Sequence, residues 1–257
     1  LVGIKPTVGL VSRDGVVPIS HTMDTPGPMA RSVKDAALVL TVIAGSDAAD
    51  IATAEADHRK MDYAAALNPG ALNGKRLGVL RIGAGGHPEI DKLFEQALAD
   101  LKAAGAELID VKQPPDMAGI GAVTGTIMQT EFKTDIGKYL SKAAPAVQSR
   151  SLADLIAFNK ANASAELPLF GQEIFEQAQE RAGLDDPKYL EALATGKRLA
   201  GPEGIDRILA ADRLDAIIAI TGGPAPFTDA AGLSRGLAVN VATVVPALAG
   251  YPHLTVP

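Results

Sequence analysis

The 257 residues carry a formal net charge of -6 at neutral pH and a pI near 5.3, which argues against an electrostatic nucleic-acid partner, since that would want a basic face. The absence of cysteine excludes disulfides, thiol catalysis and zinc–thiolate sites, and four histidines at 21, 58, 87 and 253 lie too far apart in sequence to suggest a local metal cluster. Hydrophobic residues make up 47% but aromatics only 4%, so the core must be aliphatic, and no apolar run is long enough to span a bilayer.

Residues 1–28 read as strand and turn, dense in glycine and proline: L-V-G-I-K-P-T, then V-G-L-V-S-R-D-G, then T-M-D-T-P-G-P-M-A-R-S-V up to Val33. Ser32 is placed to cap a helix with the apolar face Val33, Ala36, Ala37, Leu40, Ile43 and Ala44, stopped by Gly45. Residues 46–73 are polar and irregular. Lys75 to Ile82 reads as a buried strand. The helix after it is the clearest in the chain, with apolar positions 90, 93, 94, 97, 98, 101 and 104, Pro88 near its start and Gly105 at its end. Ala106 to Val111 returns to strand, and strand–helix–strand with short connections implies a crossover onto a parallel sheet.

From Met117 to about Arg213 the pattern is helical, with segments at 119–143, 151–166, 170–182, 187–199 and 203–213, broken at Pro145, Pro168, Pro187 and Gly201-Pro202. Leu214 to Ile220 is a strand, and Thr221-Gly222-Gly223-Pro224-Ala225-Pro226 is a rigid loop at its carboxyl end. Residues 235–249 are helical and Tyr251 to Pro257 begins another strand. The whole reads as one α/β domain over 1–257, with a helical insertion at about 117–213. Leu1 is not an initiator methionine and Pro257 falls inside an apolar segment, so both ends are expected to continue beyond this sequence; the compartment, cytoplasmic or periplasmic, stays open.

Three separated segments resemble the amidase signature family. They are G-I-K-P-T-V-G with S-R-D-G and D-T-P-G-P-M-A-R-S-V; the strand and loop from Asp215 to Pro224; and A-G-Y-P-H-L-T-V-P from Ala249 to Pro257. Within the family the segments R-S-L-A-D-L-I-A-F-N (150–159), L-F-G-Q-E (169–173) and R-L-A-G-P-E-G-I-D (198–206) resemble bacterial peptide amidases. The resemblance implies a large twisted mixed β-sheet flanked by helices on both faces, of which this chain supplies a C-terminal portion.

It also implies hydrolysis of C-terminal peptide amides or related carboxamides to acid and ammonia, by a nucleophilic serine, a second serine in a cis peptide and a neutral lysine, without metal or organic cofactor. In the family these three residues precede the K-P-T segment, so they are expected upstream of Leu1, no catalytic residue is assigned in this chain, and the chain alone is expected to be inactive. Lys5 follows the nucleophile position and is not the catalytic base. The implied partner is a small-molecule or peptide amide, with no nucleic acid and no membrane; the oligomeric state is left open. Two other readings stand beside it: the A-type subunit of a glutamine-dependent aminoacyl-tRNA amidotransferase, or a non-catalytic binding or scaffold fragment.

Candidate substrate-binding residues are Thr221, Gly222, Gly223 and Pro224, because open α/β sheets place ligands at the carboxyl ends of strands. Here Ile220-Thr221-Gly222-Gly223 replaces the family's usual Pro-Thr-Thr, which alters that wall of the pocket. Asp24 is expected to accept backbone N–H bonds in a turn rather than orient a pocket loop. Arg31 is expected to pin the first helical turn to a carboxylate or carbonyl rather than clamp a substrate. His21 with Asp24 and Ser12 or Ser20 has triad composition but no geometric warrant. Gly83 to Gly86 lacks phosphate-loop spacing and reads as a turn, Glu131, Phe132 and Tyr139 as a satisfied helix face, and Asp185-Asp186-Pro187 as a helix start.

Overall fold

The computed structural model describes residues 1–83, 86–223 and 241–257. Among them are two three-stranded sheets, one antiparallel and one parallel. In the first, β1 (Val2–Lys5) lies between β2 (Met29–Ala30) and β6 (His253–Thr255), so the two ends of the chain meet in one sheet. In the second, β3 (Arg76–Val79) lies between β4 (Glu107–Asp110) and β5 (Ala216–Ile218), with both pairings parallel. The expected crossover is present: α3 (Pro88–Ala103) joins β3 to β4. Its boundaries follow Pro88 at the first turn and Gly105 after the end, but the expected apolar face is only partly covered. Leu98 is buried and Leu93 is 70% exposed.

Ser32 caps α1 (Val33–Ile43) as expected: its hydroxyl accepts the Asp35 N–H and donates to the Asp35 carboxylate. α1 buries Ala36, Ala37 and Leu40, and Leu40 and Ala44 pack with Leu10 and Val11 under Ile4 of β1. Beyond α1 the irregular stretch holds a 3-10 turn (Ile51–Thr53) and α2 (Ala56–Arg59).

The insertion comprises α4 (Met117–Ser141), α5 (Leu152–Ala161), α6 (Ala163–Glu166), α7 (Glu173–Gln179), α8 (Pro187–Ala200) and α9 (Arg207–Ala211). Gly201-Pro202 does not separate two helices as expected. Gly201–Asp206 forms a wider π turn that carries α8 into α9, with Pro202, which has no N–H to donate, in its first turn.

The largest core joins Ile120 and Ile127 of α4, Tyr189, Ala192 and Leu199 of α8, and Val245 and Leu248 of α10 (Val241–Ala249). Gly196 permits that meeting, since a Cβ there would lie 3.0 Å from Leu248 Cδ2 and 3.1 Å from Ile127 Cδ1. A second core packs Ile136, Leu140, Leu152 and Ala178, flanked by Phe132 against Phe175 with ring centroids 5.2 Å apart. No helix of the described residues is long and apolar enough to cross a membrane.

Candidate functional site

The N-terminal turns are held down by the insertion. Asp24 Oδ2 accepts the N–H groups of Ile19 and Ser20 at 2.8 Å each, so its carboxylate closes the turn as expected. Arg13 donates to both Asp50 oxygens at 2.8 and 2.6 Å and to the His21 carbonyl. The Arg13 hydrogen bond holds the Asp50 carboxyl down at about 2. Met23 enters the large core, which ties the T-M-D segment to α4 and α8.

Glu131, in the middle of α4, is 0% exposed. Its carboxylate accepts the Ser20 hydroxyl, the Thr22 hydroxyl at 2.9 and 3.1 Å, the Thr22 N–H at 3.2 Å and the Tyr189 hydroxyl at 2.8 Å. One turn on, Asp135 Oδ2 lies 2.6 Å from His21 Nδ1 and accepts the His21 N–H at 3.2 Å. The hydrogen bond to Asp135, opposed by burial and reinforced by the Glu131 charge, raises the His21 pKa. Burial by itself would raise the Asp135 carboxyl, but the hydrogen bond and charge of His21 bring it below its ordinary value. Burial, then the hydrogen bond to Glu131, pushes the Tyr189 phenol far up.

This cluster contains a serine, a histidine and acids without the geometry of a relay. The Ser20 hydroxyl is spent on Glu131 in a side chain 1% exposed, and the His21 ring pairs with Asp135, not with a serine. Among the described residues no serine hydroxyl is bonded to a lysine amine or an imidazole. The cluster is a latch between the S-H-T-M-D turn and two helices. Glu131 is therefore satisfied, as expected, while Phe132 and Tyr139 pack against the second core. Arg31 differs from expectation: it is exposed and its guanidinium makes no hydrogen bond or ion pair among the described residues. The Ser32–Asp35 cap already secures that helical turn.

The second polar locus lies where the two sheets approach. Thr221, half-buried at the carboxyl end of β5, has its hydroxyl 3.2 Å from that of Thr255 on β6. Gly222 and Gly223 are exposed; Pro224 lies outside the described residues. On the antiparallel sheet Lys5 stands opposite His253, and Gly3 opposite Thr255. Burial and then the charge of Lys197 lower the Lys5 amine to about 8. Burial and then Lys5 lower His253. Burial also lowers Lys197, against the pull of Glu131. Sequence reasoning missed this grouping. Lys5 and His253 sit inside two of the segments that carry the family resemblance, but their apposition across β1 and β6 is a fact of register. Among the described residues no group of three or more His, Asp or Glu side chains is arranged to hold a metal ion.

The fold and these two loci define an α/β protein whose glycine- and proline-rich N-terminal strand is embraced by its own C-terminal strand and a helical insertion. The chain belongs to the Amidase family, whose model matches residues 1–257. It is similar, at 47% identity and a TM-score of 0.92, to a crystal structure of the peptide amidase PAM in complex with the competitive inhibitor chymostatin, covering 100% of this chain and 52% of that one. A probable amidase of Arabidopsis thaliana is 33% identical over all of this chain and 46% of its own length. The A-type subunit of the glutamyl-tRNA(Gln) amidotransferase from a Synechococcus strain is 32% identical over all of this chain and 53% of its own. The chain thus spans about half the length of the relatives it matches.

Proposed function

We propose that residues 1–257 form the framework and one substrate wall of an amidase that hydrolyses C-terminal peptide amides or related carboxamides to the acid and ammonia. One observation carries this reading: the 47% identity to the peptide amidase extends over the whole chain, including the helical insertion. Water supplies the hydroxyl retained by the acid and the hydrogen that leaves with the ammonia. A serine nucleophile, a bridging serine and a neutral lysine, expected upstream of this segment, perform the acyl transfer, with backbone N–H groups stabilising the oxyanion. Thr221, Gly222, Gly223 and Pro224 line the pocket in this reading. The absence of side chains at Gly222 and Gly223 leaves room for the residue that precedes the scissile amide.

A second reading, the A-type component of an amidotransferase, is supported by the 32% identity to such a protein. The experiment is ammonia release from peptide amides and from glutamine, by residues 1–257 alone and joined to an upstream amidase segment containing G-G-S. Release from peptide amides by the joined protein only is expected. Activity of the chain alone would overturn the placement of the nucleophile, and release from glutamine alone would favour the second reading.

A further inference from the structure

Lys5, Lys197 and His253 are the feature of this chain that its internal pairing leaves unexplained. Side chains two apart on a strand share a face, and cross-strand partners stand side by side. The register therefore sets Lys5, His253 and Thr255 around Gly3 on one face of the antiparallel sheet. Among the described residues a Cβ built on Gly3 would meet nothing within 4 Å, which leaves room over the centre of this face. Thr221 closes one side, with its hydroxyl 3.2 Å from that of Thr255. Lys197 approaches from α8, its amine 3.8 Å from a Cβ built on Gly250 and donating to the Thr22 carbonyl at 3.3 Å.

Among the described residues neither lysine nor His253 is in an ion pair. Lys5 donates to the Pro6 carbonyl at 3.0 Å, and the one acid acting on Lys197, Glu131, is already saturated by Ser20, Thr22 and Tyr189. Lys5 and Lys197 are half-buried like charges that repel each other, while His253, lowered by burial and then by Lys5, stands as a neutral imidazole across from Lys5. An anion seated over Gly3 reverses that sign, and two threonine hydroxyls add neutral donors beside the cations.

We propose that Lys5, His253, Lys197, Thr255 and Thr221 form a site above Gly3 that binds a single carboxylate, and that its ligand is the acid released by amide hydrolysis. The ligand class rests on the proposed function; the site itself does not. An acid held here lies beside the wall at Thr221 and distinguishes product from substrate, because the neutral amide lacks the charge the cations attract. The lowered pKa of Lys5 agrees with a cation awaiting its counter-charge.

The test is residue-resolved acylation of lysines in residues 1–257 at neutral pH and fixed ionic strength, read by mass spectrometry, so that it tolerates self-association of the chain. The probes are N-acetylglycine, N-acetylglycinamide and inorganic phosphate. The acid is expected to slow labelling of Lys5 roughly threefold at about twice its dissociation constant, since the free fraction falls as one over one plus that ratio. Lys197 should be protected in parallel, Lys92 on the remote helix α3 should not, and His253→Gln should weaken the protection. Equal protection by acid and amide, stronger protection by phosphate, or none at all overturns the site. Acid-selective protection in a chain whose joined form releases no ammonia keeps the site and removes only the product assignment; ammonia release without protection removes the site and keeps the activity.

Discussion

Glu131 has more donors aimed at its carboxylate than any neutral side chain can accept. In Glu131→Gln one carboxylate oxygen becomes an NH2 that faces either the Thr22 and Tyr189 hydroxyls or the Ser20 and Thr22 donors, and a buried donor loses its acceptor. We expect a loss of roughly 2 kcal/mol, the usual cost of an unsatisfied buried group, seen as a lower urea midpoint at unchanged slope. His21 makes the same latch depend on pH. Its folded-state pKa is raised, first by the hydrogen bond to Asp135, so its contribution is complete below the unfolded value near 6.5 and is lost as pH rises through the folded value. The Asp135 pKa is lowered, so that contribution persists down to acid pH. The difference in urea midpoint between the parent and His21→Gln should be largest at about pH 5 to 6.5 and shrink above it. A gap that widened with pH would show that the imidazolium is not the stabilising form.

At the scale of elements, the turn before β2 is fitted to β1 without spare room. A Cβ on Gly27 would fall 1.8 Å from the Ile4 carbonyl oxygen and 2.8 Å from Pro6 Cδ, beside the Ile4 N–H bond to the Pro28 carbonyl. Gly27→Ala should therefore cost about 1 to 3 kcal/mol, as overpacking does, whereas Ser32→Ala, which removes only a helix cap, should cost about 1 kcal/mol. Thermal melts of the two variants should rank them in that order. Much at this scale was readable in advance. The Ser32 cap, the Asp186-Pro187 start of α8 and the β3–α3–β4 crossover follow from local chemistry and periodicity. The π turn at Gly201–Asp206 did not, because glycine and proline mark a departure from α geometry without saying whether the chain stops or widens.

For the whole molecule the decisive feature is the apolar surface it presents. Val42 on α1 is 83% exposed and Ile51 after it 86%, and Leu38 and Val39 of α1 are also exposed. Apolar surface at that density drives association. Residues 1–257 alone should elute from a sizing column above monomer mass, and Val42→Lys with Ile51→Lys should shift it toward monomer. A sharp, reversible, monomeric thermal transition of the parent would contradict this.

What the linear order of residues determined here is local: where helices begin, which runs extend, and which short motifs mark the family, since caps, turns and periodicity depend on neighbours a few positions apart. Only the tertiary structure decided the partners. His21 could be set beside Asp24 on paper, yet it meets Asp135 more than a hundred residues away, and Lys5 faces His253 across β1 and β6. The reason is physical: the register of a strand and the face a helix turns inward are chosen by burial across the whole fold, and a side chain's charge acts on whatever that burial brings within reach.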